Sequence, residues 1–210
     1  MSAAGVASTK HDVPVPERIV AAAALLISSQ GLRATSVDDI ASAAECGRAT
    51  VYRYFPGGRS ELLDVTLGRG VDRIFASCTR ITDHAETLAE AVAGTINIAV
   101  LELSNDAVVQ QLLVDEPDTI ATLISPVRIE PLFERASEWG IEHFSRFVEP
   151  AIAAHIGEWC ARVVTDHLRS PAPVIDITQS DIARTLVDTF LIPTLIPGSA
   201  AEHSITIRRH

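Results

Sequence analysis

The chain has 210 residues, 47% hydrophobic but only 5% aromatic, so Ala, Val, Ile and Leu must fill the core of one or two small domains. Three cysteines at 46, 78 and 160, with no C-x-x-C pair, argue against a disulfide framework or a zinc site. They read as small buried hydrophobes, with redox sensing at Cys46 as the alternative. The net charge of −10 is uneven: residues 1–60 carry six basic and five acidic side chains, residues 61–210 eleven and twenty-two. An acidic body repels polyanions everywhere except at a mildly basic head. The most apolar stretch, Ala21 to Ile27, is far shorter than the ~20 residues that a bilayer span needs. No basic-then-apolar leader is visible, and a cytosolic chain with no membrane partner is expected.

Taken in order, residues 1–15 are small, polar and broken by proline, which predicts a disordered arm. Pro16 suits the first turn of a helix that runs to about Gln30, with Ile19, Ala23, Leu26 and Ile27 on one face and Gly31 as its stop. Ser36 caps a second helix with Asp39 three residues on, and Val37, Ile40, Ala41 and Ala44 face inward. Glu45-Cys46-Gly47 turn the chain into a third helix, Arg48 to Phe55, which Pro56-Gly57-Gly58 end.

A long amphipathic helix is predicted from about Ser60 to Cys78 on Leu63, Leu67, Val71, Ile74, Phe75 and Cys78. Asp83 is read as the cap of a helix to about Leu103, and Asn105 as the cap of a short one ending near Val114. Glu116-Pro117 opens another that stops before Pro126. Apolar stripes then mark helices over 128–147, 150–168 and 178–193, with a loop opened by Pro171-Ala172-Pro173 and a loose tail after Pro197. Val174 to Ile177 is the one strand candidate, and the fold class is all-α. The expected divisions are a disordered arm over 1–15, a small helical head over 16–60, a larger helical body over 61–197 and a flexible tail over 198–210.

The third helix carries the functional signal. Val51 and Phe55 form one narrow apolar seam, which leaves Arg48, Ala49, Thr50 and Arg53 facing outward with Tyr52 and Tyr54 at the flanks. That is the distribution of a recognition helix in a helix-turn-helix, where residues near the helix N-terminus reach base edges in the major groove. Arg48 and Arg53 offer bidentate contacts to guanine, each worth roughly 1–3 kcal/mol of discrimination. Thr50 fits a thymine methyl or a phosphate. The two tyrosines suit phosphates, which fix position without reading sequence. Ser36 and Arg59 complete the expected DNA-contacting set, Arg59 as a phosphate clamp at the start of the fourth helix.

From Ile19 through Leu63 the chain closely resembles the N-terminal domain of the tetracycline-repressor (TetR) family. The likeness rests on Ala34-Thr35-Ser36-Val37, Asp39-Ile40-Ala41, Thr50-Val51-Tyr52-Arg53-Tyr54-Phe55 and Leu62-Leu63. Three positions depart from the family pattern. Glu45 stands where the family usually has Gly, Gly47 where it has Ser or Thr, and Arg59 where it has Lys, after a Gly-Gly stretch that looks one residue longer.

The resemblance implies a ligand-responsive regulator, most often a repressor, that binds a palindromic operator as a homodimer. It also implies an effector pocket among the later helices and a dimer made by the last two long ones. Aromatic bulk on the 128–147 helix nominates Phe133, Trp139, His143, Phe144 and Phe147 as pocket lining, with Phe75 and Leu101 beside them, and an apolar small-molecule effector follows. Ile156, Trp159, Val163 and His167, with Ile182, Leu186 and Phe190, are the expected dimer interface.

No cofactor and no metal is expected. H-E-x-x-H, G-x-S-x-G and a phosphate-binding G-x-x-x-x-G-K are all missing, so an enzyme is not expected. A DNA-binding or adaptor protein without an effector is the competing reading.

Overall fold

A computed structural model describes residues 13–170 and 175–195. All regular structure in them is helical, so the fold is all-α. The order is α1 (Val15–Gln30), α2 (Val37–Ala43), α3 (Arg48–Tyr54), α4 (Gly58–His84), α5 (Leu88–Asn105), α6 (Ala107–Asp115), α7 (Pro117–Leu123), α8 (Pro126–Phe144), α9 (Pro150–Arg169) and α10 (Ser180–Leu186). A π-helical turn, Val187–Leu191, continues α10 into α11 (Ile192–Leu195). The expected arm lies outside the described residues up to position 12, as do the tail and the Pro171-Ala172-Pro173 loop. Ile175 to Ile177 are not a strand.

Two compact units emerge: Met1–Asp72 with Asp106–Ala121, and Arg73–Asn105 with Thr122–His210. One break falls inside α4, and α6 with α7 up to Ala121 belongs to the first unit. The expected head, 16–60, is therefore a shorter and contiguous version of the first unit.

In the first unit, Pro16 sits in the opening turn of α1, and Ile19, Val20, Ala22, Ala23 and Ile27 are buried along it. Gly31, at φ 84°, ends the helix while its N–H still bonds Ile27 O at 3.0 Å. That backbone is one that glycine adopts without steric cost. Ser36 and Asp39 form a complete capping box on α2. The α2 core residues Ile40, Ala41 and Ala44 are buried, as are Val51 and Phe55 of the α3 segment. Leu62 and Leu63 of α4 join them, and α6 packs on α1 through Val108, Val109 and Leu112. Full burial of each such aliphatic side chain is worth ~1.5–3 kcal/mol before chain entropy is subtracted.

The second unit centres on α5, with Val92, Ile96 and Val100, and on the α8–α9 pair, with Phe144, Ala153, Ile156 and Cys160. The α8–α9 crossing is tight because both partners are glycine there. A Cβ on Gly140 would come 2.5 Å from Ala153 O, and one on Gly157 would come 2.1 Å from Ala136 O. Asn97 on α5 donates to the carbonyls of Ile177 (3.0 Å) and Thr178 (2.8 Å), tying down the segment before α10. Arg146 donates to the carbonyls of Thr82 and Ala85, where α4 ends and its carbonyls lack helical partners.

Several boundaries differ from expectation. Helix α4 runs to His84 rather than Cys78, so Asp83 lies in its last turn and caps nothing. Thr87 does the capping for α5: its hydroxyl accepts from the Glu90 N–H at 3.3 Å, and Glu90 accepts from the Glu86 N–H at 3.1 Å. Asp106, not Asn105, caps α6, accepting from the N–H groups of Val108 and Val109. Asn105 instead donates back to Leu101 O within α5.

Candidate nucleic-acid interface

Helix α3, the expected recognition helix, buries few of its side chains. Val51 is fully buried and Phe55 nearly so, whereas Arg48, Ala49, Tyr52, Arg53 and Tyr54 are exposed and Thr50 is half-buried. The turn before it carries the departures at Glu45 and Gly47. Glu45 adopts φ 53°, a left-handed conformation that costs a non-glycine residue roughly 1 kcal/mol. Arg18 of α1 reaches across to Glu45 O at 3.5 Å. Gly47 is the N-cap of α3 and supplies no side-chain bond, yet a Cβ there would meet nothing within 4 Å.

The exposed side chains are not randomly splayed. Arg48 Nη1 donates to Asp38 Oδ2 of α2 at 2.6 Å. The Arg48 guanidinium also lies 5.5 Å from the Tyr52 ring centroid, and that of Arg53 lies 4.9 Å from the Tyr54 ring. Tyr52 packs over Gly58, at φ 61°, where a Cβ would come 3.2 Å from Tyr52 Cε1. The Gly-Gly stretch after α3 thus gives the Tyr52 ring its seat.

Two of the expected DNA contacts have other employment. The Ser36 hydroxyl is engaged with Asp39, accepting from its N–H at 3.1 Å and donating to its Oδ2 at 2.5 Å. Donation from the Ser36 hydroxyl, and less from the Ser36 N–H at 3.0 Å, holds the Asp39 carboxyl below its ordinary range. Arg59 Nη1 donates to the carbonyls of Leu32 (3.0 Å), Arg33 (3.3 Å) and Thr35 (3.3 Å), so it staples the α1–α2 loop instead of standing free as a phosphate clamp. The same loop is gripped by Glu116, whose carboxylate is buried and accepts from the Arg33 N–H at 2.7 Å. Glu116 also accepts from the Thr119 hydroxyl at 3.2 Å, and its backbone N–H closes α6 onto Leu112 O. Asp38, Arg18 and Glu116 escaped the sequence reading. For Asp38 a signal existed, an acid in the first turn of α2 with an arginine opening α3; Glu116 lies 83 residues from its partner and gave none.

In the second unit the pocket candidates divide. Trp139 brings four of them together: its ring centroid lies 6.0 Å from Phe75, 4.6 Å from His143 and 5.2 Å from Phe144. Trp139 Nε1 donates to Thr79 Oγ1 at 3.0 Å, and Thr79 Oγ1 lies 3.2 Å from His143 Nε2. A histidine protonated on Nδ1 satisfies all three groups. Phe144 is fully buried and belongs to the core. Phe133 and Phe147 lie instead under the guanidinium groups of Arg162 and Arg146, at 4.3 and 4.4 Å, and Leu101 is half-buried on α5.

The interface candidates divide as well. Ile156 is only 2% exposed within a single chain, so it is a core residue and not a surface one; its helix face meets α5 and α8. Trp159, Val163 and Leu186 pack partly against that same core, and His167 and Ile182 are half-buried. Phe190, in the π-helical turn, is 64% exposed. Cys78 and Cys160 are buried, and burial pushes both thiols up, Cys78 to about 12. Cys46 is half-buried, a departure from the expectation of three buried cysteines. Among the described residues no group of His, Cys, Asp and Glu is arranged to hold a metal ion, and no single helix is long and apolar enough to cross a membrane.

Residues 19–65 match the family of bacterial regulatory proteins, tetR family. Over 47 residues the chain is 47% identical to an uncharacterized HTH-type transcriptional regulator of Mycobacterium tuberculosis, a match covering 22% of this chain and 24% of that one. The chain thus spans about a quarter of the length of the curated relatives it matches. Among solved structures it is similar to the TetR family repressor AlkX from a Dietzia strain, implicated in biodegradation of n-alkanes, with a TM-score of 0.66 and 22% identity over 86% of this chain and 96% of that one. It is also similar to the fatty acid degradation regulator FadR from Bacillus halodurans, with a TM-score of 0.54 and 19% identity over 86% and 97%. At these identities the likeness is one of fold.

Proposed function

We propose, from the premise that this chain is a TetR-family transcriptional regulator, that it binds a palindromic DNA operator as a homodimer and is released by a small apolar effector. The observation that carries the DNA part is α3 itself. Two apolar side chains anchor it, and two arginines and two tyrosines stand outward on one short helix. In this reading Arg48 and Arg53 contact base edges, Tyr52 and Tyr54 contact phosphates, and Thr50 fills between them. A single head of this size binds weakly at physiological salt, which favours two heads on a two-fold operator. The exposed Phe190, with the partly exposed Ile182 and Leu186 of α10 and Trp159, Val163 and His167 of α9, supports a partner on the last helices.

An apolar effector is supported by the aromatic cluster around Trp139 and by two fold relatives, one implicated in n-alkane biodegradation and one a regulator of fatty acid degradation. Repression is the family's usual sign. A regulator without an effector is the second reading, favoured by the way Trp139, Thr79 and His143 satisfy one another.

Selection of bound DNA from a random pool by the full chain tests the proposal. The expected result is one dyad-symmetric sequence bound by two chains, with affinity falling steeply as salt rises. Addition of palmitate or hexadecane then separates the two readings: release supports an apolar effector, and unchanged binding across such compounds favours the second.

A further inference from the structure

Asp38 lies in the first turn of α2, but the capping of that helix is done by Ser36 and Asp39. The Asp38 carboxylate turns instead to the first residue of the recognition helix, accepting from Arg48 Nη1 at 2.6 Å. The two side chains are 61% and 58% exposed, so the pair is wet and contributes little to folding. What it fixes is orientation. An arginine side chain gives up rotamer freedom when it docks on a base edge, and a guanidinium already held in place loses less. Here it is held from two sides, by Asp38 and by the Tyr52 ring. A guanidinium has five N–H donors, so one bonded nitrogen leaves others for a base.

Arg53 supplies the contrast within the same helix. It rests over Tyr54 and has no carboxylate partner among the described residues. A carboxylate beside the reading surface also repels phosphates, and so lowers affinity for every sequence. Asp38 therefore acts in two directions, against general affinity and for a fixed Arg48.

Resting on the DNA-reading role of α3, we propose that Asp38 is the positioning residue that sets the base selectivity of Arg48. One base pair is read strictly through the Asp38–Arg48 pair, and the pair read by Arg53 is read more loosely.

The test compares the full chain with Asp38→Ala, Asp38→Asn, Arg48→Ala and the Asp38→Ala/Arg48→Ala double variant. Each is measured on the wild-type-selected duplex, on its single-base variants and on a scrambled duplex. Asp38→Ala is expected to reduce discrimination at one base pair about five-fold, at the same position that Arg48→Ala flattens, and to tighten binding to the scrambled duplex. Asp38→Asn, which keeps a hydrogen-bond acceptor, should show a smaller loss at the same position. The double variant should discriminate no worse than Arg48→Ala alone, because the two residues act as one unit. Thermal melting confirms that each variant is folded, and Asp38→Asn carries the test if the alanine variant is not.

Two results overturn the proposal: Asp38 variants that bind all duplexes more tightly with base preferences unchanged, or a loss at a position that Arg48 does not read. A wild-type chain that selects no sequence overturns the reading of α3 itself and is told apart from either result at the first step.

Discussion

Two helices of this chain are held in opposite ways. Helix α9 is sunk into its unit, with Gly157 backed against Gly140 and Ala136 of α8 so closely that no Cβ fits. Helix α3 has a single buried side chain, Val51, with Phe55 buried at its C-cap, and its arginines and tyrosines are exposed. The difference teaches what each is built to meet. On the side that meets α8, α9 is fixed by backbone contact within its own chain. A helix proposed to enter a DNA groove needs a firm seam on one side and accessible faces elsewhere.

Gly157→Ala forces a methyl group against the Ala136 carbonyl and the Gly140 backbone, neither of which is the end of a flexible side chain. It is expected to destabilise the chain by about 3 kcal/mol in urea unfolding, at the upper end of the overpacking range. A change of a few tenths would mean that α8 and α9 part easily. Val51→Ala should cost less, ~2 kcal/mol, since it removes two methyl groups from a fully buried site. Its effect on DNA binding should nevertheless exceed that of Gly157→Ala measured well below the unfolding midpoint, because Val51 is half of the α3 anchor.

Ser36→Ala tests whether that residue caps or contacts DNA. Loss of the capping box predicts a destabilisation of ~1 kcal/mol with base preferences unaltered. Selectivity lost without stability would return Ser36 to the reading surface. The smallest effect is a gain: Gly47→Ser places a hydroxyl at the open N-cap of α3, where a Cβ meets nothing, and should stabilise by a few tenths, roughly 0.3 kcal/mol. Thiol labelling at pH 8 sharpens the contrast in burial. Cys46 should react in the folded chain, and Cys78 and Cys160 only after denaturation.

The helix-turn-helix was legible because its signals are local. The Ser36-x-x-Asp39 box, the Gly31 stop and the Val51/Phe55 spacing each act within four residues. Glu45, which stands where the family it resembles usually has Gly, takes the left-handed φ of 53° that glycine favours. What sequence periodicity does not encode is the partner of a given apolar stripe. Helix α6 is amphipathic wherever it docks, and nothing local says that it lies on α1. The stripe on α9 reads equally well as core or interface, and Ile156 proved to be core. Arg59 and Glu116 were hidden for a related reason: their partners are backbone groups of the Leu32–Thr35 loop, and backbone groups carry no sequence signature. The α4 boundary was missed because Asp83 offered a plausible cap, while the Thr87-x-x-Glu90 pair was the one in use.

The division of labour on α3 is tested most directly by measuring Arg48→Ala and Tyr52→Phe side by side on the selected operator and on its full set of single-base variants. The expected result is that Arg48→Ala erases the preference at one base pair and leaves the others intact, whereas Tyr52→Phe weakens every duplex by the same factor. If both substitutions lower all affinities equally, the arginines do not read and the tyrosines do not merely position, and this account of the recognition helix is wrong.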